Sequence, residues 1–157
     1  MSLTGRLRRG IAALLVFAVA EAGAVSCSAS ATSTSFGNYN SLAPVALDGV
    51  GNVRVTCGNL VNIFVSYSIS LSAGSAGSFA GRRLVNGAQQ LNYNLFTDAA
   101  RSSVWGDGTA GTSTVSDGYL LLLLSDQRNY PVYGRIPAGQ NIPPGIYSDT
   151  IQVTVNY

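Results

Sequence analysis

Apolar and polar residues alternate along most of the chain beyond its first two dozen residues. The clearest case is NIFVSYSISLS (62–72), in which every second residue is apolar from Ile63 onward. The same period of two recurs in NVRVTC (52–57), LNYNLFTD (91–98) and YSDTIQVTVNY (147–157). Such a period places alternate side chains on opposite faces of a β-strand. No segment after residue 24 keeps a 3.6-residue period, so the sequence predicts an all-β chain.

Two further segments complete the set of predicted strands, YPVYGRI (130–136) and the apolar run YLLLLL (119–124). The apolar run is short enough for a strand buried on both faces, although a helical turn has a similar pattern. Exposed leucines there would instead form a lipid-binding or partner-binding surface. Pieces rich in turn-forming residues separate the strands, at 48–51, 72–81 and 105–111 and around the prolines of 137–145. Six or seven short strands with this spacing predict one antiparallel β-sandwich.

The first 24 residues have the pattern of a signal peptide. Three arginines within the first ten residues precede the apolar run Ile11–Ala20, and Ala22-Gly23-Ala24 forms a small-residue cleavage site. The apolar run has about ten residues, whereas a membrane span needs about twenty. A buried N-terminal helix and cleavage after Ala20 are the alternatives. We expect a signal peptide over residues 1–24, an exported domain over residues 25–157, and no membrane insertion after cleavage.

Export determines how the two cysteines are interpreted. An even number of cysteines in an oxidising compartment predicts a disulfide between Cys27 and Cys57. Its loop of about thirty residues would stabilise the fold by about 3 kcal/mol. A redox-active pair would need close spacing or an activating neighbour, and the sequence shows neither.

The charged residues exclude several classes of function. The chain is 10% charged, its nine basic residues are all arginines, and it contains no histidine. From Val25 onward six arginines balance six aspartates, which leaves no basic surface for nucleic acid or anionic lipid. Without histidine, a nucleophile lacks its commonest general base and zinc lacks its usual nitrogen ligand. We therefore expect no enzyme, no catalytic residue, no metal and no cofactor; a secreted hydrolase is disfavoured.

Individual aspartates and the single tryptophan have simple structural interpretations. We expect Asp98 and Arg101 to form a local ion pair at a turn. Asp107 lies among glycines but lacks the dense oxygen ligands of a calcium loop, so it predicts a turn. Asp117, before Gly118, predicts a hairpin turn. Trp105 is expected to anchor the core, with an exposed binding aromatic as the alternative.

Several short motifs follow one another in a specific order. They are Cys27 followed by SFGNY (35–39), VRVTC (53–57), LNYNLFTD (91–98) with Arg101, WGDG (105–108), VYGRI (132–136) and GIYSDTIQVTVNY (145–157). Together they resemble the spore coat protein U domain family, which includes subunits of archaic chaperone–usher pili. The resemblance runs from Cys27 to the last residue, and its most specific part is the terminal GxYxDTxxVTVxY.

The resemblance implies a pilin-type, immunoglobulin-like β-sandwich that is incomplete because its last strand is missing. In such families a periplasmic chaperone lends a strand, and the usher exchanges it for the N-terminal extension of a neighbouring pilin subunit. An extended segment then pairs with an open sheet edge and inserts alternate apolar side chains into a groove. By analogy the groove lies between the first strand, near 27–36, and the last, 147–157. The candidates for its lining are Phe36, Ile151, Val153 and Val155; the alternative is that Ile151, Val153 and Val155 fill an ordinary closed core.

One departure from the family pattern concerns the donor segment. Cleavage after Ala24 leaves Val25 and Ser26 ahead of Cys27, which span about 7 Å, whereas a ten-residue donor spans about 33 Å. The sequence therefore predicts a terminal or tip subunit that accepts a strand without donating one. We expect this subunit first in the periplasm and then at the cell surface. Its expected role is in adhesion, biofilm or a surface coat. The alternative is a self-contained secreted adhesin or coat domain that does not polymerise, binding through loops such as 71–81 or 105–114.

Overall fold

The computed structural model describes residues 25–58 and 62–157, and the predicted signal peptide lies outside them. Within these residues, no helix is long and apolar enough to cross a membrane. The described chain forms antiparallel strands and one short 3-10 helix, Gly74–Ala76. The strands are β1 Ser26–Ser35, β2 Leu47–Gly58, β3 Ile63–Leu71, β4 Arg82–Asn86, β5 Gln89–Phe96, β6 Val115–Leu121, β7 Ser125–Ile136 and β8 Val153–Asn156.

The strands form two sheets of unequal width. Five strands make one sheet in the order β1-β2-β7-β5-β4, and three make the other in the order β6-β3-β8. Every pairing in both sheets is antiparallel. The predicted all-β antiparallel sandwich is confirmed, and β4 is a strand that the sequence did not indicate.

The predicted alternation places one face of each central strand in the core. On β3, Val65, Tyr67 and Ile69 are buried, whereas Phe64 and Ser66 on the opposite face are exposed. Trp105 is fully buried and its indole Nε1 donates a hydrogen bond to Ile69 O over 3.0 Å. The prediction that Trp105 anchors the core is therefore confirmed.

Arg82 is a fully buried cation. Its guanidinium donates to Ser72 O at 2.7 Å, to Trp105 O at 2.7 Å and to Asn94 Oδ1 at 2.9 Å. Among the described residues, no carboxylate forms an ion pair with it. The carbonyl oxygens replace the water that the cation loses on burial. They attach the loop before β4, at Ser72, and the loop after β5, at Trp105, to the core.

The disulfide between Cys27 and Cys57 is present, with an S–S distance of 2.05 Å. The two residues lie directly opposite each other in the β1–β2 ladder. The bridge therefore fixes the start of β1 against the end of β2, as the sequence predicted.

The prediction of a strand over 119–124 that is buried on both faces is wrong. Strand β6 ends at Leu121, and Leu122, Leu123 and Leu124 are 62%, 70% and 74% exposed in the connection to β7. Leu120 is 52% exposed on the outer face of β6. The reason is that β6 is an edge strand of the narrow sheet and buries only its inner face, with Tyr119 and Leu121.

Two predictions about single aspartates are also wrong. Arg101 pairs with Asp48 on β2 over 3.3 Å, while Asp98 accepts hydrogen bonds from the Ser102 and Ser103 amides. Asp117 lies inside β6 rather than at a hairpin turn, and it accepts a hydrogen bond from the Tyr130 hydroxyl.

Asp107 does belong to a turn, since its Oδ1 accepts from the Thr109 amide and hydroxyl. The last predicted strand is shorter than expected. Regular pairing is confined to Val153–Asn156, whereas Ser148 forms an isolated bridge with Val85 on β4.

Candidate functional site

A cleft separates the first strand from the end of the chain. Strand β1 is an edge of the five-stranded sheet and β8 is an edge of the three-stranded sheet, and no described strand pairs with the outer edge of either. The cleft lies between 31–36 on one side and 149–153 on the other. We call this feature the edge cleft.

The centre of the edge cleft is a cavity of about 200 Å³. Its floor consists of core side chains from five strands: Val53, Leu71, Leu84, Tyr93, Leu95 and Val132. Its walls are Ala31, Thr32, Ser33, Thr34 and Phe36 on one side and Asp149, Ile151 and Val153 on the other. The apolar interior of the sandwich is thus accessible along this side.

Two alanines on β1 show how the cleft arises. Ala29 lies opposite Val55 and Ala31 lies opposite Val53, and both valines are buried in the core. Directly paired residues in an antiparallel ladder point to the same face, so both alanines belong to the inner face of the sheet. Both are nevertheless exposed. The three-stranded sheet is too narrow to cover this part of its partner.

Phe36 closes one end of the cavity. Its ring lies edge-to-face against Tyr93, with ring centroids 5.9 Å apart. It rests on Gly49 and Gly134, which face each other in the β2–β7 ladder. A Cβ on Gly134 would lie 2.6 Å from Phe36 Cζ, so the absence of a side chain there makes room for the ring.

Beyond Phe36 the edge cleft widens into a second depression of about 800 Å³. The two share several lining residues, among them Ser33, Leu84 and Asp149. The depression extends to Tyr39 on one side and to Ile142 on the other. The edge cleft therefore runs along the sandwich for more than the length of the central cavity.

The cleft is almost free of charge. Asp149 is the one charged side chain among the residues that line the central cavity, and its Oδ2 accepts a hydrogen bond from the Tyr93 hydroxyl at 2.7 Å. Burial, followed by the adjacent carboxylate, raises the pKa of Tyr93 above its usual value. The described residues also contain no group of three His, Cys, Asp or Glu side chains placed to hold a metal ion. This lining suits apolar side chains.

The family model of the Spore Coat Protein U domain matches residues 13–154. The chain belongs to this family. The predicted resemblance is thus confirmed, and with it the prediction that this is a structural domain and not an enzyme.

The chain is also similar to individual proteins of known sequence or structure. It is 35% identical over 131 residues to Protein U of Myxococcus xanthus, an alignment that covers 78% of this chain and 70% of that protein. It also matches, with a TM-score of 0.56 and 23% identity, a chain in the crystal structure of the CsuC–CsuE chaperone–tip adhesion subunit pre-assembly complex from archaic chaperone–usher Csu pili of Acinetobacter baumannii. That match covers 85% of the spore coat U chain and 40% of the other chain, and it supports the pilin-like sandwich.

Three of the four residues predicted to line a groove lie around the central cavity of this spore coat U domain. These are Phe36, Ile151 and Val153. Val155 is half-buried, pairs with Ile69 and does not line the cavity. Ala29 and Ala31 were not among the predicted site residues. The small residues at every second position after Cys27 could have indicated an edge strand with little side-chain volume.

Proposed function

We propose that the chain is a secreted structural subunit of a chaperone–usher surface assembly, and that its edge cleft accepts a β-strand from a partner. The observation that carries this proposal is the exposure of Ala29 and Ala31 on the inner face of β1. One additional strand beside β8 would cover both alanines and would pair with an unpaired edge. Alternate apolar side chains of that strand would enter the central cavity.

The proposed partners are proteins that would supply a strand to the edge cleft. A periplasmic chaperone would supply the strand first, and a neighbouring pilin subunit would replace it after delivery through an usher. The similar chain from Csu pili supports this view, since it belongs to a complex of a chaperone with a tip adhesion subunit. The chain would be exported through the predicted signal peptide, would bind the chaperone in the periplasm and would be assembled at the cell surface.

Covalent addition of a strand tests the cleft directly. Strand β8 ends at Asn156, so a flexible linker after Tyr157 would return a strand antiparallel to β8. We expect a fused strand of alternating valine and threonine to raise the urea midpoint of unfolding. The same strand with prolines at its centre cannot form the ladder and should leave the midpoint unchanged. Equal midpoints for both fusions would contradict the proposal.

Two neighbouring substitutions then test chaperone binding. Ala31→Asp places a charge on the inner face of β1, and Ser30→Asp places it on the outer face, opposite Arg54. We expect the Ala31 variant to lose the one-to-one complex with the periplasmic chaperone and the Ser30 variant to retain it. The complex is measured by pull-down and size-exclusion chromatography. Retention of the complex by both variants would show that the chaperone does not bind through the edge cleft, and it would contradict the proposal.

The place of the subunit in the assembly depends on where the leader is cut. Cleavage after Ala24 would leave Val25 and Ser26 ahead of Cys27, too short a segment to act as a donor strand. Such a subunit would accept a strand without donating one and would lie at the end of the fibre. Mass spectrometry of the mature N-terminus tests this position, and a start ten or more residues before Cys27 would contradict it.

A second candidate function, surface adhesion, is favoured by the exposed leucines after β6. Leu122, Leu123 and Leu124 directly follow β6, on which the exposed Leu120 pairs with the exposed Phe64 of β3. A contiguous exposed apolar surface marks an interaction site. We expect serine at all three positions 122–124 to reduce retention on polystyrene. Leu42→Ser, at an exposed leucine in the connection between β1 and β2, is the control. Equal retention of both variants and the parent would rule out this patch as an adhesive surface.

A further inference from the structure

The segment that forms one wall of the edge cleft is attached to both sheets. Ser148 exchanges two backbone hydrogen bonds with Val85 on β4, at 2.8 and 3.1 Å. Four residues later, Gln152 and Ser72 are joined by two hydrogen bonds, both of 2.9 Å. Between these attachments, residues 149–151 have no ladder partner. Another contact must fix them.

Asp149 supplies that contact. Its Oδ2 accepts a hydrogen bond from the buried Tyr93 hydroxyl at 2.7 Å, and its Oδ1 accepts from the Ser75 amide at 2.9 Å and the Thr150 amide at 2.8 Å. Hydrogen bonds to an ionised carboxylate are about twice as strong as neutral ones. The carboxylate thus connects the wall to β5, at the floor of the cavity, and to the short helix after β3.

Gly74 makes this approach possible. Its φ of +71° is in the left-handed region, and a Cβ at this position would collide with Asp149 Oδ2 and come within 2.9 Å of Ile151 Cδ1. A side chain at residue 74 would therefore displace both the carboxylate and an apolar residue of the wall. The glycine at residue 74 thus leaves the space that the Asp149 carboxylate occupies.

We infer that Asp149 is the positioning residue that sets the width of the edge cleft for an incoming strand, acting through Tyr93 and Ser75. This inference rests on the proposed function of the cleft. Asp149 does not need to touch the strand. It holds Ile151 and Val153 at the distance from β1 that leaves the cavity open, so that the strand meets a wall already in place.

The test compares two aspartates that each accept three or more hydrogen bonds. Asp149→Ala removes the wall contact, whereas Asp98→Ala removes a similar contact in the turn at Ser102 and Ser103. The probe is a soluble peptide in which valine and threonine alternate, titrated onto the folded, oxidised protein. We expect Asp149→Ala to weaken binding about tenfold, which corresponds to about 1.4 kcal/mol, and Asp98→Ala to leave binding unchanged. Equal affinity of Asp149→Ala and the parent, or equal loss in both variants, would overturn the inference.

Tyr93→Phe guards against misfolding of the alanine variant, because it removes one hydroxyl and keeps the ring. We expect it to weaken peptide binding by a smaller factor than Asp149→Ala. Unchanged binding would show that Asp149 does not act through Tyr93.

Hydrogen exchange of the 150–153 amides provides a readout that needs no peptide. Faster exchange in Asp149→Ala, and not in Asp98→Ala, is expected. Unchanged exchange refutes the inference, whereas failure of the parent to bind the peptide while exchange still responds refutes only strand acceptance.

Discussion

The ring of Phe36 lies directly over Gly134, at the place that a side chain on residue 134 would occupy. Phe36 follows the edge strand β1, and Gly134 lies on β7, in the middle of the five-stranded sheet. The contact brings the chain after β1 across the inner face of the sheet and closes one end of the central cavity. A glycine in the middle of a sheet thus determines where the central cavity ends and the wider depression begins.

Gly134→Ala tests this relationship. The added methyl group overlaps Phe36 and Thr34, and overpacking of this kind costs about 1–3 kcal/mol. We expect a corresponding drop in the free energy of unfolding, measured in urea. Gly81→Ala is the matched control, because a Cβ at that position meets nothing within 4 Å. Equal stability of Gly134→Ala and Gly81→Ala would mean that Phe36 moves aside without cost.

Removal of the disulfide should destabilise the fold without changing its topology. Cys27 and Cys57 are separated by 30 residues, and a loop of this size stabilises by about 3 kcal/mol through its effect on the unfolded chain. We expect the double serine variant to unfold at a lower temperature than the oxidised parent. Reductant should lower the melting temperature of the parent and have no effect on the variant. A parent that is insensitive to reductant would contradict the prediction.

Arg82 should be intolerant even of lysine. The guanidinium reaches Ser72 O, Trp105 O and Asn94 Oδ1 together, and an ammonium group has no planar fork to match them. Leaving buried carbonyls without donors costs on the order of 3 kcal/mol. We expect Arg82→Lys to lower the free energy of unfolding by about that amount. Arg83→Lys, at an exposed neighbour that bonds Gln90, should have a small effect, and similar losses in both variants would contradict this role.

Stability should fall at alkaline pH. Burial is the first cause that raises the pKa of four tyrosines, Tyr67, Tyr93, Tyr119 and Tyr130. Above about pH 10, the usual tyrosine value, the unfolded chain loses these protons while the folded chain keeps them. The unfolded state then binds fewer protons, so the free energy of unfolding decreases as pH rises.

The urea midpoint measured from pH 8 to pH 11 checks this expectation, with the decline beginning near pH 10. Tyr130→Phe removes one of the four groups and should reduce the alkaline decline relative to its own stability at pH 8. A midpoint that stays constant to pH 11 would show that the phenols titrate in the folded state as freely as in the unfolded one.

Much of the architecture was predictable because it depends on local pattern. The alternation in 62–72 identifies β3 and its buried face, and export together with two cysteines identifies the disulfide. Trp105 was assigned to the core for its size and apolar character. In each case the relevant physics is contained in a few neighbouring residues or in a simple count.

The wrong predictions concern residues whose surroundings come from segments far away in the sequence. Arg101 has Asp98 close by in sequence, yet the fold brings Asp48 to it from another strand. Leu122, Leu123 and Leu124 are apolar enough for a core. However, β6 is the edge strand of the three-stranded sheet, and no part of the described chain covers the connection that contains these leucines. Sequence pattern gives the apolar character of these residues but not their neighbours.

Local alternation and the cysteine count are enough to establish that this chain forms strands, which face of each strand is apolar, and which cysteines pair. The exposure of Ala29 and Ala31 on an inner face and the contacts of Asp149 with the opposite wall follow only from the three-dimensional fold. The physical reason is that alternation determines the direction of a side chain relative to its own strand, whereas exposure depends on the width of the opposing sheet. That width results from long-range strand pairing between segments far apart in the chain.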